Sequence, residues 1–319
     1  MAVVDMPLSE LQQYQGTNPC PDDFDRFWES ALDDMRSVRP EVTISPSGFV
    51  TDFADCFDLT FTGTRGARIY AKLLKPKRPV DACPAILEFH GYSGQSGDWF
   101  DKLPYVANGC VVASMDCRGQ GGKSEDVGAV KGNTLYGHVL RGIDEAPEHL
   151  LYRQIFLDTV LLANIVMDMD DVDERRVGAM GGSQGGGLSV VCAALDPRIQ
   201  RVACSFPFLS DYQRCWEMDM ETLPYNELKD YFRRFDPLHE RSAEVFRRLG
   251  YIDVQHLARR VKASVLMALT LRDDICPPST QFAVYNKIAS DKQAVLYRDF
   301  GHEALPGFRD ETFAFMAGL

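Results

Sequence analysis

The pattern of apolar and polar positions divides the chain into three stretches. Near the start, Phe24, Phe27, Trp28, Ala31, Leu32 and Met35 recur at helical spacing, and Pro21-Asp22-Asp23 supplies a start signal. A helix with one apolar face follows, so residues 1–42 are expected to form an N-terminal docking segment. Between about 43 and 80 the period changes to two, as in Phe57-Asp58-Leu59-Thr60-Phe61 and Ile69-Tyr70-Ala71-Lys72-Leu73-Leu74. That alternation predicts antiparallel strands, with Gly63-Thr64-Arg65-Gly66 as their hairpin turn.

Beyond residue 80, short apolar runs at 85–89, 110–115, 177–180, 202–205, 265–269 and 294–297 alternate with helical stretches at 150–169, 184–195, 279–289 and 309–318. Continuous apolar runs joined by helices are the mark of buried parallel strands. Residues 207–260 break the alternation. They are rich in aromatic and charged residues and are expected to form a helical cap inserted over one end of the sheet. The predicted architecture is a single α/β domain over 1–319, with a mostly parallel central sheet flanked by helices.

Composition narrows the function. The 319 residues include 46 acidic and 34 basic ones, a net charge of −12, which disfavours nucleic acid as a partner. With 45% hydrophobic and 25% charged residues the chain can bury a large core, which excludes disorder, collagen and coiled coil. The most apolar helical stretch, 152–169, is interrupted by Arg153, Gln154, Asp158, Asn164 and Asp168, so no membrane span is expected. Residues 1–14 lack the basic and apolar regions of a signal peptide, which gives a cytoplasmic expectation. The nine cysteines are scattered without a C-x-x-C pair and read as reduced thiols, and the six histidines do not cluster. No metal site is expected.

The strongest chemical signal follows the run at 177–180. There Gly181-Gly182-Ser183-Gln184-Gly185 forms G-x-S-x-G, and Gly186-Gly187-Leu188-Ser189-Val190-Val191 continues as a helix. A tight strand-to-helix turn lifts a serine hydroxyl clear of the sheet, while the glycines tolerate the strained backbone. The helix N-terminus then points at developing negative charge. The competing reading is a glycine-rich turn with a helix-capping serine.

Such a nucleophile requires an acid and then a histidine, each just after a strand. The run at 265–269 leads into Thr270-Leu271-Arg272-Asp273-Asp274-Ile275-Cys276-Pro277-Pro278, and 294–297 leads into Asp299-Phe300-Gly301-His302-Glu303. Ser183, then Asp273 or Asp274, then His302 is the Ser, Asp, His order of the α/β-hydrolase fold. The run at 85–89 ends in His90-Gly91-Tyr92-Ser93-Gly94, where this fold supplies an oxyanion N–H. The backbone N–H groups of Tyr92 and Gln184 are the expected donors. Gly91 lets the backbone approach a substrate, and His90 reads as a structural residue under the loop. Residues 117–124 end in Gly122-Lys123-Ser124 like a phosphate-binding loop, but Cys117 stands where that motif needs glycine. No cofactor is expected.

These residues resemble the acetyl xylan esterases and cephalosporin-C deacetylases of carbohydrate esterase family seven. The family's R-G-Q, G-x-S-Q-G and H-E appear as Arg118-Gly119-Gln120, Gly181 to Gly185 and His302-Glu303. The likeness spans the chain, through Met6-Pro7-Leu8, Asp22, Phe24, Phe27-Trp28, His90-Gly91-Tyr92, Arg141-Gly142-Ile143 and Asp273 with Cys276-Pro277-Pro278-Ser279-Thr280. The resemblance implies a serine esterase that removes acetyl groups from small substrates, with Ser183 as nucleophile, His302 as base and Asp273 as the orienting acid. It implies that Arg118 and Gln120 support the loops around the site, and that the chain forms a closed homohexamer with its sites facing an inner chamber. The chain departs from the family pattern at Tyr136-Gly137-His138-Val139-Leu140, at Asp144 to His149, and at Thr270, where glycine is usual.

The bulky residues Tyr92, Phe208 and Pro224 are expected to line a small substrate pocket suited to acetyl esters: acetylated xylo-oligosaccharides, other sugar acetates or cephalosporin C. Two rivals stay open. The same triad could serve a broader short-chain carboxylesterase or a peptidase, or the chain could be a non-catalytic α/β-hydrolase-like binding protein.

Overall fold

The computed structural model describes residues 4–79, 81–128 and 137–319. Met1 to Val3 of the N-terminal segment, and Tyr136, lie outside them. The strands are β1 (Thr43–Pro46), β2 (Ala54–Thr62), β3 (Arg68–Pro76), β4 (Cys83–Phe89), β5 (Val111–Met115), β6 (Val172–Gly182), β7 (Arg201–Ser205), β8 (Ser264–Thr270) and β9 (Lys292–Tyr297). They form one sheet in the order β1-β2-β3-β5-β4-β6-β7-β8-β9. The pairings from β1 to β5 are antiparallel, and those from β5 through β4 to β9 are parallel. This is the α/β-hydrolase fold.

The helices are α1 (Leu8–Leu11), α2 (Phe24–Arg36), α3 (Leu103–Ala107), α4 (Leu151–Met167), α5 (Gln184–Leu195), α6 (Tyr212–Glu217), α7 (Asn226–Phe235), α8 (Ser242–Leu249), α9 (Val254–Ala258), α10 (Pro278–Lys287) and α11 (Phe308–Met316). Side chains alternate across β4. Ala85, Leu87 and Phe89 enter the main core with α4 and α5, whereas Ile86 joins Met180, Ala203, Phe308 and Met316 on the opposite face. Helix α4 is buried at every residue except Asn164, because it lies between the sheet and α2. Trp28 of α2 is completely buried, stacks on Phe156 at 5.8 Å and donates its indole N–H to the Tyr251 carbonyl. The apolar face of α2 thus covers α4 and the base of the cap.

One element differs from the sequence expectation. Strand β6 begins at Val172, well before the apolar run, because Glu174 and Arg175 are solvated and leave no apolar signal. The expected hairpin turn between β2 and β3 is present and takes the form of a 3-10 turn at Thr64–Gly66, with Thr64 buried. Residues 207–260 contain α6 to α9, with α7 and α8 strongly amphipathic. Cys20 is exposed and the other cysteines are buried as free thiols. Among the described residues no helix is long and apolar enough to cross a membrane, and no cluster of three potential metal ligands occurs.

Candidate active site

Ser183 is the hinge between β6 and α5. Its backbone lies at φ 57° and ψ −122°, a conformation that costs a non-glycine residue of order 1–3 kcal/mol and persists only where surroundings enforce it. Those surroundings are visible. The Ser183 N–H donates to the Ser205 carbonyl at 3.0 Å, and the Ser183 carbonyl accepts from Phe208 and Gly187, each at 3.0 Å. A Cβ at Gly181 would come within 2.5 Å of the Phe89 carbonyl oxygen, and one at Gly185 would collide with the same oxygen. The two flanking glycines of the motif are therefore needed for close approach to the end of β4.

His302 follows β9 and Asp273 follows β8, which brings them together beside this elbow. His302 Nδ1 donates to Asp273 Oδ2 at 2.9 Å, and the imidazole packs on Phe206 at 4.4 Å between ring centres. Phe206 in turn borders Gly182. Asp273 is fully buried. Its Oδ1 accepts from the Ile275 and Cys276 N–H groups at 2.9 and 2.7 Å, and its Oδ2 from the Thr270 hydroxyl at 3.2 Å and the Gln281 amide at 3.4 Å. Asp274 points away and is exposed, so the spacing ambiguity between the two aspartates resolves in space. Thr270 at the end of β8 thus donates to this carboxylate.

Burial pushes the Cys276 thiol well above its ordinary range, and the backbone N–H of this fully buried residue donates to Asp273. Among the described residues no hydrogen bond joins Ser183 to His302. Cys276 and Gln281 carried no functional signal in the sequence, since one was a landmark for the acid and the other an ordinary helical residue.

The oxyanion loop is held by amides. Gln184 is the first residue of α5, where an N–H has no partner within the helix. Its side chain is fully buried, accepts from the Tyr152 hydroxyl at 2.7 Å and donates to the His90 carbonyl at 3.3 Å. Gln120 pairs with it reciprocally and also accepts the Ser93 N–H at 2.9 Å. A Cβ at Gly91 would meet nothing within 4 Å, so the space beside that backbone is open. His90 lies under the loop with both nitrogens engaged: Nδ1 donates to the Gly91 carbonyl at 2.7 Å and Nε2 accepts the Cys117 N–H at 2.9 Å. Burial lowers its basicity.

Arg118 stands one layer out. Its guanidinium forks onto Asp158 of α4, with both contacts at 2.6 Å, and donates to the Thr64 carbonyl at 3.0 Å. The loop that imitates a phosphate cradle is filled by Asp116, whose carboxylate accepts from the Ser96 and Lys123 N–H groups.

The expected pocket lining needs correction. Phe208 is 1% exposed, packed edge-on against Tyr92 at 5.7 Å and Tyr225 at 5.3 Å, and Pro224 is buried. Both belong to the packed base of the cap and offer almost no open surface. Tyr92 alone of the three keeps partial exposure.

Comparison with known proteins places the chain among acetyl esterases in sequence and fold. The chain is 57% identical to acetyl xylan esterase 1 from Thermoanaerobacterium sp. JW/SL YS485, covering 98% of this chain and 99% of that one with a TM-score of 0.97. It is 35% identical to the acetyl xylan esterase from Paenibacillus sp. R4, with the same coverages and a TM-score of 0.94. It is 28% identical, over 86% of its length, to the acetyl esterase Axe7A of Xylanibacter ruminicola, and spans 62% of that relative's length. The acetyl xylan esterase family model matches residues 1–319, and the chain belongs to that family.

Proposed function

We propose that the protein is a serine esterase that removes acetyl groups from small esters, with Ser183 as nucleophile, His302 as general base and Asp273 as the orienting acid. The observation that carries this reading is the meeting of a strained elbow serine with a histidine whose Nδ1 is engaged by a buried carboxylate at 2.9 Å. With Nδ1–H fixed in that way, Nε2 is left as the proton acceptor. The Ser183 hydroxyl gives its proton to His302 as its oxygen attacks the acetyl carbonyl. The negative oxygen is met by the Tyr92 and Gln184 N–H groups, each such donor being worth about 2.7–4 kcal/mol in the transition state. The bond to the alcohol breaks and the alcohol takes the proton. Water then attacks the acetyl-enzyme by the same route and releases acetate.

Acetylated xylo-oligosaccharides, other sugar acetates and cephalosporin C are the substrates proposed, and the names of the solved relatives support the first. A homohexamer in the cytoplasm is the proposed working form. Supporting assembly, Ile44 of the edge strand β1 and Val50 and Phe53 of the connection from β1 to β2 are exposed.

The test is hydrolysis of p-nitrophenyl acetate, butyrate and octanoate by the wild type and by Ser183→Ala, each checked for folding. Activity centred on acetate and lost in the variant is the expected result. Activity surviving in folded Ser183→Ala would overturn the mechanism, and equal rates on acetate and octanoate would favour the broader carboxylesterase.

A further inference from the structure

Glu227 stands in the first turn of α7, in the cap, and is 1% exposed. Its two oxygens accept from four donors. Oε1 takes the Tyr92 hydroxyl and the His138 N–H at 3.1 Å, and Oε2 takes the Val139 and Leu140 N–H groups at 3.0 and 3.2 Å. The Tyr92 hydroxyl oxygen itself accepts the His138 N–H at 2.9 Å. A side chain at Gly137, where φ is 48°, would collide with both Glu227 and the Tyr92 hydroxyl. The Tyr92 ring is walled by Phe208 and by His138, at 5.7 and 5.2 Å. Burial pushes the Glu227 carboxyl up to about 7 even though Tyr92 and the three backbone donors favour its ionised form.

A carboxylate buried this deeply is tolerated only while its partners stay in place, so the cluster resists displacement of any one member. One of those members carries the backbone N–H that faces the oxyanion in the reading above. Gln120 fixes that loop at the next residue, Ser93, whereas Glu227 holds Tyr92 itself.

We propose that Glu227 is a positioning residue: through the Tyr92 phenol it sets the Tyr92 N–H against the oxyanion and fastens that donor to the cap. The inference rests on the serine-esterase reading and deepens it. Glu227→Gln keeps the shape but turns one acceptor oxygen into a donor facing other donors. Tyr92→Phe removes only the hydroxyl and keeps the backbone N–H.

The experiment measures kcat, KM and thermal midpoint for Glu227→Gln, Tyr92→Phe and the double variant on p-nitrophenyl acetate, with inhibition by an alkyl boronic acid, which forms a tetrahedral adduct with serine. Each single variant is expected to lose roughly 10- to 100-fold in kcat with KM nearly unchanged. The boronic acid should weaken in parallel, and the double variant should be no worse than the poorer single one. Unchanged kcat, a loss confined to KM, or two effects that simply multiply would overturn the proposal. If Glu227→Gln fails to fold, Tyr92→Phe decides alone: a lower kcat at an unchanged thermal midpoint supports the link, and an unchanged kcat overturns it. Failure of the underlying esterase reading shows separately, as activity that survives Ser183→Ala.

Discussion

The side-chain amides of Gln120 and Gln184 pair with each other, Nε2 to Oε1 in both directions at 2.9 and 3.1 Å, and so join the loop after β5 to the first residue of α5. Gln120 also holds Ser93, so this pair spans both sides of the oxyanion position. Gln120→Leu would remove both hydrogen bonds of the pair and the one to the Ser93 N–H, each worth about 0.5–1.5 kcal/mol, while Tyr152 and His90 still hold Gln184. Kinetics on p-nitrophenyl acetate should show kcat falling about tenfold to a hundredfold with little change in KM.

The two neighbouring aspartates make opposite predictions. Asp273→Asn removes the carboxylate that keeps His302 in the productive tautomer, and kcat should fall by about 10⁴-fold, as for a serine hydrolase that loses its triad carboxylate. Asp274 is exposed, and its backbone carbonyl accepts from the Thr222 hydroxyl. Asp274→Asn should stay within about twofold of the wild type. Parallel kcat measurements on the two variants distinguish them.

Arg118 and Asp158 form a buried, bidentate pair, and burial keeps the Asp158 carboxyl above its usual range against the pull of Arg118. Arg118→Met leaves that carboxylate unpaired in the core and should cost about 3–5 kcal/mol in urea unfolding. Arg118→Met combined with Asp158→Leu should recover most of the loss, because the penalty lies in the orphaned charge.

Asp253 is fully buried, and burial followed by the nearby Asp211 charge raises its carboxyl from 3.8 to about 7. Lys287 and hydrogen bonds from Asp211 N–H and Gln255 oppose the rise. Between those two values the folded chain holds a proton that the unfolded chain has released, so this group's contribution to stability declines as pH rises from about 4 to about 7 and is flat above. Asp253→Asn should remove that slope, up to about 1.4 kcal/mol per pH unit. Urea midpoints of both proteins at pH 5, 6, 7 and 8 give the comparison.

Ser183, Asp273 and His302 were legible in the sequence because each directly follows an apolar strand, so strand order alone fixes their sequence in space. The choice of Asp273 over Asp274 depends on which carboxyl turns toward the Ile275 and Cys276 N–H groups, a local geometry that two adjacent identical residues do not reveal. Glu227 was illegible for a different reason. It lies 135 positions from Tyr92, and only the folding of the cap onto the sheet brings them together. Phe208 misled because an aromatic residue beside a site and an aromatic residue beneath it look alike in sequence. The acidic and basic start of β6 was missed because solvent exposure at that end of a central strand erases the apolar run that marks a buried one.

The two glycines that press against the Phe89 carbonyl tie the nucleophile to a main-chain atom only three positions before Tyr92. On the side of the nucleophile, the spacing between the end of β4 and the elbow is therefore gauged by direct backbone contact. Replacement of residues at the rim can change which alcohols are admitted while that gauge stays constant. Novel substrate ranges are accordingly reachable by single substitutions around the entrance, without retuning the attack itself.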